Sequence, residues 1–394
     1  MNKFNRTTRI TAVLFLTLCL LPLSLKAQMW GRGRVISPEI HEDNSVTFRL
    51  FAPDASTVKI AGNWMPGWGT TQELVRNDTG LYELTIDPLP SEMYTYAFVV
   101  DGVRSVDPGN GIIVRDGIRN ESMFFVPGGK ADLYETQKVP HGQLSKVWYP
   151  SPTLDKTRLM YVYTPPDYYK TEKKYPVLYL LHGGGGDEDA WTTLGRAPQI
   201  LDNLIAQGKS APMIVIMTNG NPGQAAAPGA RPKQEPGENV FNPGGMGNKK
   251  FEESLVKDVI PFVEVNYRCI QDKDHRAVTG LSMGGIQTMN LASTYPEMFS
   301  WYGVMSMGLV DMSRFGVEDN PEERVASLEA LRKSSPKLYW IACGKEDFLH
   351  ESAVNLTLFL DENNFPYVYR ESGGGHTWTN WRIYLSEFAP MLFK

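Results

Sequence analysis

Ser282 sits between two glycines in Gly280-Leu281-Ser282-Met283-Gly284. The short run Asp274-His275-Arg276-Ala277-Val278-Thr279 leads into it as a strand, and Ile286-Gln287-Thr288-Met289-Asn290-Leu291-Ala292 leaves it with a helical pattern. A serine on a sharp strand-to-helix turn projects its hydroxyl above the sheet, and side chains at the flanking glycines would strike the neighbouring strand and helix. Amides at the start of the new helix point toward that hydroxyl, where they can stabilise an oxyanion. The chemistry such a residue performs is acyl transfer, once a base takes its proton.

That chemistry requires an acid and a histidine further along the chain. Two histidines follow Ser282, His350 and His376. His376 lies in Ser372-Gly373-Gly374-Gly375-His376-Thr377-Trp378, a glycine-rich turn between a strand and the last helix, from which an imidazole can reach back over the sheet. His350 opens a predicted helix, and a surface position explains it. The acid is expected on the loop Gly344-Lys345-Glu346-Asp347: Asp347 is the first choice and Glu346 the reserve, with Asp311 a weaker strand-end candidate. One oxyanion donor is expected at the Met283 amide. The second is expected in Leu181-His182-Gly183-Gly184-Gly185-Gly186-Asp187, at Gly184 with Gly185 as its alternative. His182 reads as a brace for this loop and not as a second base.

These residues need strands to carry them. Segments 146–149 and 157–163 read as early strands. Tyr175-Pro176-Val177-Leu178-Tyr179-Leu180-Leu181 and Pro212-Met213-Ile214-Val215-Ile216-Met217 are continuous apolar runs, as in strands buried on both faces. Further strands are expected at 301–307, 337–342 and 365–371, with helices near 196–207, 250–266, 322–333, 350–362 and 378–392. Alternation of this kind predicts an α/β fold, a mainly parallel sheet covered on both sides with function at the strands' C-terminal ends. Segment 219–250 has no periodicity and leaves a strand at that end, so it reads as a substrate-binding or lid loop.

The front of the chain has a different pattern. Short alternating runs at 45–53, 57–62, 81–86, 94–100 and 122–126, with a turn signal at Asp101-Gly102, predict a small all-β sandwich. Pro127-Gly128-Gly129-Lys130-Ala131-Asp132 reads as the linker that follows. Trp64 and Trp68 either stack on sugars or pack at the sandwich rim, packing being the favoured reading.

The chain has 394 residues, a net charge of −5, 42% apolar and 21% charged residues, which suits two globular domains and gives no polybasic surface for nucleic acid or an anionic membrane. Lys3, Arg6 and Arg9 precede an apolar run at 10–25, and Leu25-Lys26-Ala27 offers a cleavage site. Residues 1–27 therefore read as a secretory signal peptide, with Gln28 first in the mature chain and no membrane association after removal. The run is short for a membrane anchor and contains Pro22. Cys269 and Cys343 remain after cleavage and read as two buried free thiols, though one disulfide is open to them. Neither a C-x-x-C nor an H-E-x-x-H motif is present, so no metal site is expected.

The segments "FRLFAPDASTVKIAGNW", "LYELTIDPLPSEMYTYAFVVDG" and "VDPGN" resemble the early-set immunoglobulin-like modules, grouped with a carbohydrate-binding-module family, that precede some secreted polysaccharide esterases. The segments "YPVLYLLHGGGGDEDAW", "GLSMGG", "GKEDF" and "GGGHTWTNWR" resemble the feruloyl and acetylxylan esterases of carbohydrate esterase family 1, with the related esterase D and enterochelin esterase-like proteins. The resemblance implies an α/β-hydrolase fold at 129–394 behind an immunoglobulin-like sandwich at 28–128 that touches glycan. It also implies a Ser282, Asp347 and His376 triad, no cofactor, and Trp191, Trp378 and Trp381 near the site as walls for a hydroxycinnamoyl ring or a sugar, packing being the other role open to them. The expected activity is an exported, periplasmic or extracellular, esterase acting on acylated xylan-type polysaccharide. The alternatives are a siderophore esterase or acyltransferase on the same fold, or a non-catalytic glycan-binding protein, against which the intact triad argues.

Overall fold

A computed structural model describes residues 35–67, 69–227, 249–310 and 320–394. The expected signal peptide, Trp68, Asp311 and most of the 219–250 segment lie outside the described residues. From Ser37 onward the chain forms one compact unit.

Its first part is built from β1 (Glu39–Ile40), β2 (Val46–Phe51), β3 (Val58–Gly62), β4 (Gln72–Glu73), β5 (Val75–Arg76), β6 (Leu81–Ile86), β7 (Glu92–Val100), β8 (Val103–Ser105), β9 (Ile113–Asp116) and β10 (Arg119–Val126). They make two sheets, β1-β2-β6-β5 and β4-β3-β7-β10-β9, with β8 also paired to β7. Inward residues of both, including Phe48, Ile60, Tyr96 and Phe124, form one core. Asp101 and Gly102 have φ of 46° and 87°, the left-handed pair that a two-residue hairpin turn requires. Trp64 stacks on Phe48 at 5.4 Å and meets the edge of Phe124 at 6.0 Å. Its packing role is the one the structure supports.

The second part is an eight-stranded sheet: β11 (Gln143–Ser151), β12 (Lys156–Thr164), β13 (Val177–Leu181), β14 (Ile214–Thr218), β15 (Arg276–Leu281), β16 (Trp301–Met305), β17 (Leu338–Gly344) and β18 (Val368–Ser372). The spatial order is β11-β12-β14-β13-β15-β16-β17-β18. β11 and β12 run antiparallel, and β14 through β18 are parallel. Every residue of β13 to β16 is buried. The reason shows in β13, where Val177, Tyr179 and Leu181 join one apolar core and Leu178 and Leu180 the other. Helices Met283–Thr294, Pro321–Lys333 and His350–Glu362 cover the first face through Leu291, Leu328 and Leu356. Helices Ala197–Ala206 and Trp378–Phe388 cover the second through Ile200, Leu201, Tyr384 and Phe388.

The sandwich packs on that second face. Its Met93, Val114 and Met123 belong to the same apolar core as Trp191 and Trp381. Arg382, 1% exposed, donates to Glu92 at 3.2 Å and lies 4.7 Å over the Tyr134 ring, whose hydroxyl also donates to Glu92. The expected linker is therefore anchored, because Ala131 and Tyr134 are fully buried. Cys269 and Cys343 are buried free thiols, and burial pushes each up to about 12.

Candidate active site

All the expected site segments lie at the C-terminal ends of parallel strands: 182–187 after β13, Ser282 after β15, Asp347 after β17 and His376 after β18. The elbow is tight. Ser282 has φ 52° and ψ −115°, a conformation that glycine adopts freely and other residues rarely do. Its amide donates to Met305 O at 2.9 Å, and its carbonyl accepts from the Gly285 and Ile286 amides at 2.8 and 3.1 Å. A Cβ on Gly284 would stand 2.7 Å from the His182 carbonyl oxygen, so only glycine lets the helix approach the 182–187 loop this closely. That loop also lies directly against Ser282: a Cβ on Gly183 would be 3.3 Å from the Ser282 Cβ. Gly184 and Gly185 are exposed, and Ser282, Met283 and His376 are half-buried.

His182 is the brace the sequence led us to expect. It is 1% exposed, its Nε2 accepts from the Gly220 amide at 2.8 Å, and its Nδ1 therefore carries the proton donated to Gly183 O at 2.7 Å. Burial holds its imidazole below the usual range, against the opposing bond to Gly183, which keeps it neutral. One ring thus ties the 182–187 loop to the start of the 219–250 segment. Gln287 completes the tie by donating to Gly220 O at 2.7 Å.

His376 Nδ1 lies 3.0 Å from both Asp347 oxygens. Asp347 is 4% exposed and also accepts from the Leu349 amide at 2.9 Å. Burial alone would raise its carboxyl. The bonds from His376, Leu349 and Ser306 outweigh burial and hold it below the usual carboxylate value. Ser306 is held at φ 49°, and its Oγ accepts from Trp381 Nε1 at 2.9 Å. Glu346 is exposed, and His350 pairs with Glu371 at 2.8 Å.

The tryptophans form an edge-to-face row behind the imidazole. Trp191 meets Trp378 at 5.2 Å, Trp378 meets Trp381 at 5.1 Å, and Trp381 meets His376 at 4.9 Å. Trp191 is 1% exposed, with its indole N–H donated to Leu181 O, and Trp381 is 6% exposed. Their burial corrects the substrate-wall role for these two: they pack, and only Trp378 is half-open.

Three features escaped the sequence reading. Phe348, within the "GKEDF" segment, is 75% exposed and lies 4.5 Å from the His376 ring. Ser306 joins Trp381 to Asp347. The third is Asp116 of β9, whose carboxylate accepts from Trp378 Nε1 at 3.2 Å. Burial raises the Asp116 carboxyl, opposed by the hydrogen bond from the Trp378 N–H. Among the described residues, no group of three or more His, Cys, Asp or Glu converges to hold a metal ion.

A doubly covered, mostly parallel sheet with a serine elbow defines the α/β-hydrolase class. Within it, the chain belongs to the esterase family of carboxylic ester hydrolases: the family described as "Putative esterase" matches residues 151–392. The family described as carbohydrate-binding module 48 (isoamylase N-terminal domain) matches residues 33–114. A protein of Xylanibacter ruminicola named endo-1,4-beta-xylanase/feruloyl esterase is 31% identical over 91% of this chain. The chain spans 46% of that relative's length. A solved ferulic acid esterase is 25% identical, with a TM-score of 0.51 over 64% of this chain and 97% of its own. An enterobactin esterase of Shigella flexneri shares the fold at 16% identity, with a TM-score of 0.63 over 93% of this chain and 97% of its own.

Proposed function

We propose that this chain is an exported serine esterase that removes feruloyl or acetyl groups from xylan-type polysaccharide. The observation that carries the reading is the Asp347–His376 pair, set at neighbouring strand ends beyond the Ser282 elbow. Ser282 Oγ attacks the ester carbonyl while His376 takes its proton. Asp347 keeps the other imidazole proton on Nδ1 and stabilises the cation that forms. The Met283 and Gly184 amides receive the oxyanion. His376 then protonates the departing sugar hydroxyl, and water, activated by the same imidazole, releases the acid and frees Ser282. No metal or organic cofactor enters these steps.

The polysaccharide substrate is supported by the Xylanibacter relative's name and by the carbohydrate-binding-module match in front. The aromatic acyl group is supported by Phe348, an exposed ring beside the base. Export is supported by the leader pattern read at residues 1–27. A second reading, a siderophore ester, draws on the full-length likeness in fold to the enterobactin esterase. Initial rates on methyl ferulate, 4-nitrophenyl acetate, acetylated xylan and a catechol siderophore separate the two. Turnover of the siderophore alone would overturn the polysaccharide reading, and full activity in Ser282→Ala would overturn the serine mechanism.

A further inference from the structure

The turn between β9 and β10 reaches the loop expected to hold the oxyanion. Asp116 pairs with Arg119 across it, leaving Gly117 and Ile118 at the tip. Arg115 forks onto Asp187, with Nη1 to Oδ2 at 2.5 Å and Nη2 to Oδ1 at 2.8 Å, and its Nε meets Asp189 at 3.2 Å. The same guanidinium donates to Gly117 O at 2.7 Å, which fixes the tip on the arginine. Gly117, at φ 58°, packs so closely that a Cβ there would stand 2.0 Å from Gly185 O. One residue away, Asp116 accepts from Trp378, and the aromatic row runs from there through Trp381 to His376. Three consecutive residues of the sandwich thus touch the oxyanion loop at two points and the support of the base at a third. They lie immediately beyond the stretch that matches the carbohydrate-binding module, which ends at residue 114.

We propose that this hairpin is a working part of the esterase site, with Arg115 a positioning residue for loop 183–187 and Asp116 a positioning residue for Trp378. The inference rests on the serine-esterase reading above. A planar guanidinium on a 1%-exposed carboxylate is a directional clamp, and a lysine in its place keeps the charge without the fork. The Gly184 amide follows Gly183 and precedes Gly185, so its aim depends on where Asp187 and Gly185 are held. The sandwich then contributes to turnover of any ester, including one with no sugar attached.

The test uses the full chain with two small esters, 4-nitrophenyl acetate and methyl ferulate. Arg115→Ala is expected to lower kcat on both by on the order of 10- to 100-fold, part of what an oxyanion donor is worth, with KM changed less than about two-fold. Arg115→Lys is expected to recover part of that loss. Gly117→Ala keeps the ion pair and presses on Gly185 O, so it reports on the same contact even where Arg115→Ala folds poorly, and it is expected to lower kcat likewise. Near-wild-type kcat in Gly117→Ala and in Arg115→Ala, beside an inactive Ser282→Ala, overturns the hairpin's role and leaves the serine mechanism standing. Losses absent from the two small esters and confined to acetylated xylan, assayed beside them, also overturn it, since they would make the hairpin a glycan contact. Activity retained in Ser282→Ala strikes the underlying reading instead.

Discussion

His376 Nδ1 is equidistant from the two carboxylate oxygens of Asp347, at 3.0 Å each. Both lone-pair faces therefore restrain the ring, and the proton on Nδ1 leaves Nε2 as the acceptor. Asp347→Asn puts an amide donor against Nδ1 and favours the wrong tautomer. We expect kcat to fall by about 10³- to 10⁴-fold with little change in KM. Glu346→Gln, at an exposed position, should stay within about two-fold of the parent by the same rate measurement.

The same carboxyl makes stability depend on pH. Its folded value lies below the ordinary 3.8, so the stabilisation it gives is complete above the unfolded value and is lost as pH falls through the folded one. The stability gap between the parent chain and Asp347→Asn should therefore shrink from neutral pH to about pH 3. Urea midpoints for both proteins across that range measure it, and a gap independent of pH would contradict the assignment.

Ser282 carries backbone strain at φ 52°. Ser282→Ala and Ser282→Gly both remove the hydroxyl, but only glycine relieves that conformation. The glycine variant should be the more stable of the two by about 1 kcal/mol, relief of strain exceeding glycine's greater freedom when unfolded. Thermal melts of the two variants make the comparison, and equal midpoints would show that the turn is not strained.

Phe348 should sort acyl groups. Its ring is open to solvent beside His376 and can lie against an aromatic acid but gains little from an acetyl group. Phe348→Ala is expected to raise KM for methyl ferulate by up to about ten-fold and to leave 4-nitrophenyl acetate almost unchanged. Parallel KM measurements decide it, and equal effects on both esters would reduce the ring to a cover over the imidazole.

Much of this arrangement was readable from the residues. The buried strands were continuous apolar runs, and the elbow, the Asp347 loop and the glycine-rich turn at His376 each sat where a strand had to end. The short strands were not readable. β9 is four residues long, with Ile113 exposed and its last two residues charged, so it lacks the alternation that marked β2 or β7. Its attachment to loop 183–187 is a tertiary contact between residues 72 apart, and no local spacing encodes it. Trp191 and Trp381 show the converse. Their residue type fits a sugar or aryl wall, and only packing depth reveals that neither presents a face to a ligand.

The Gly117–Gly185 approach also bears on ancestry. The sequence junction near residue 127 looks like a seam at which one module was joined to another, but the contacts between hairpin and loop 183–187 cross it. A sandwich acquired from elsewhere would bring its own hairpin, and a single methyl group at the tip would meet the opposing carbonyl. If the hairpin works as proposed, the two halves of such a chain are expected to be kept as a matched pair. Across relatives, positions 115 and 117 should change in step with 185 and 187 more than with the rest of the sandwich that carries them.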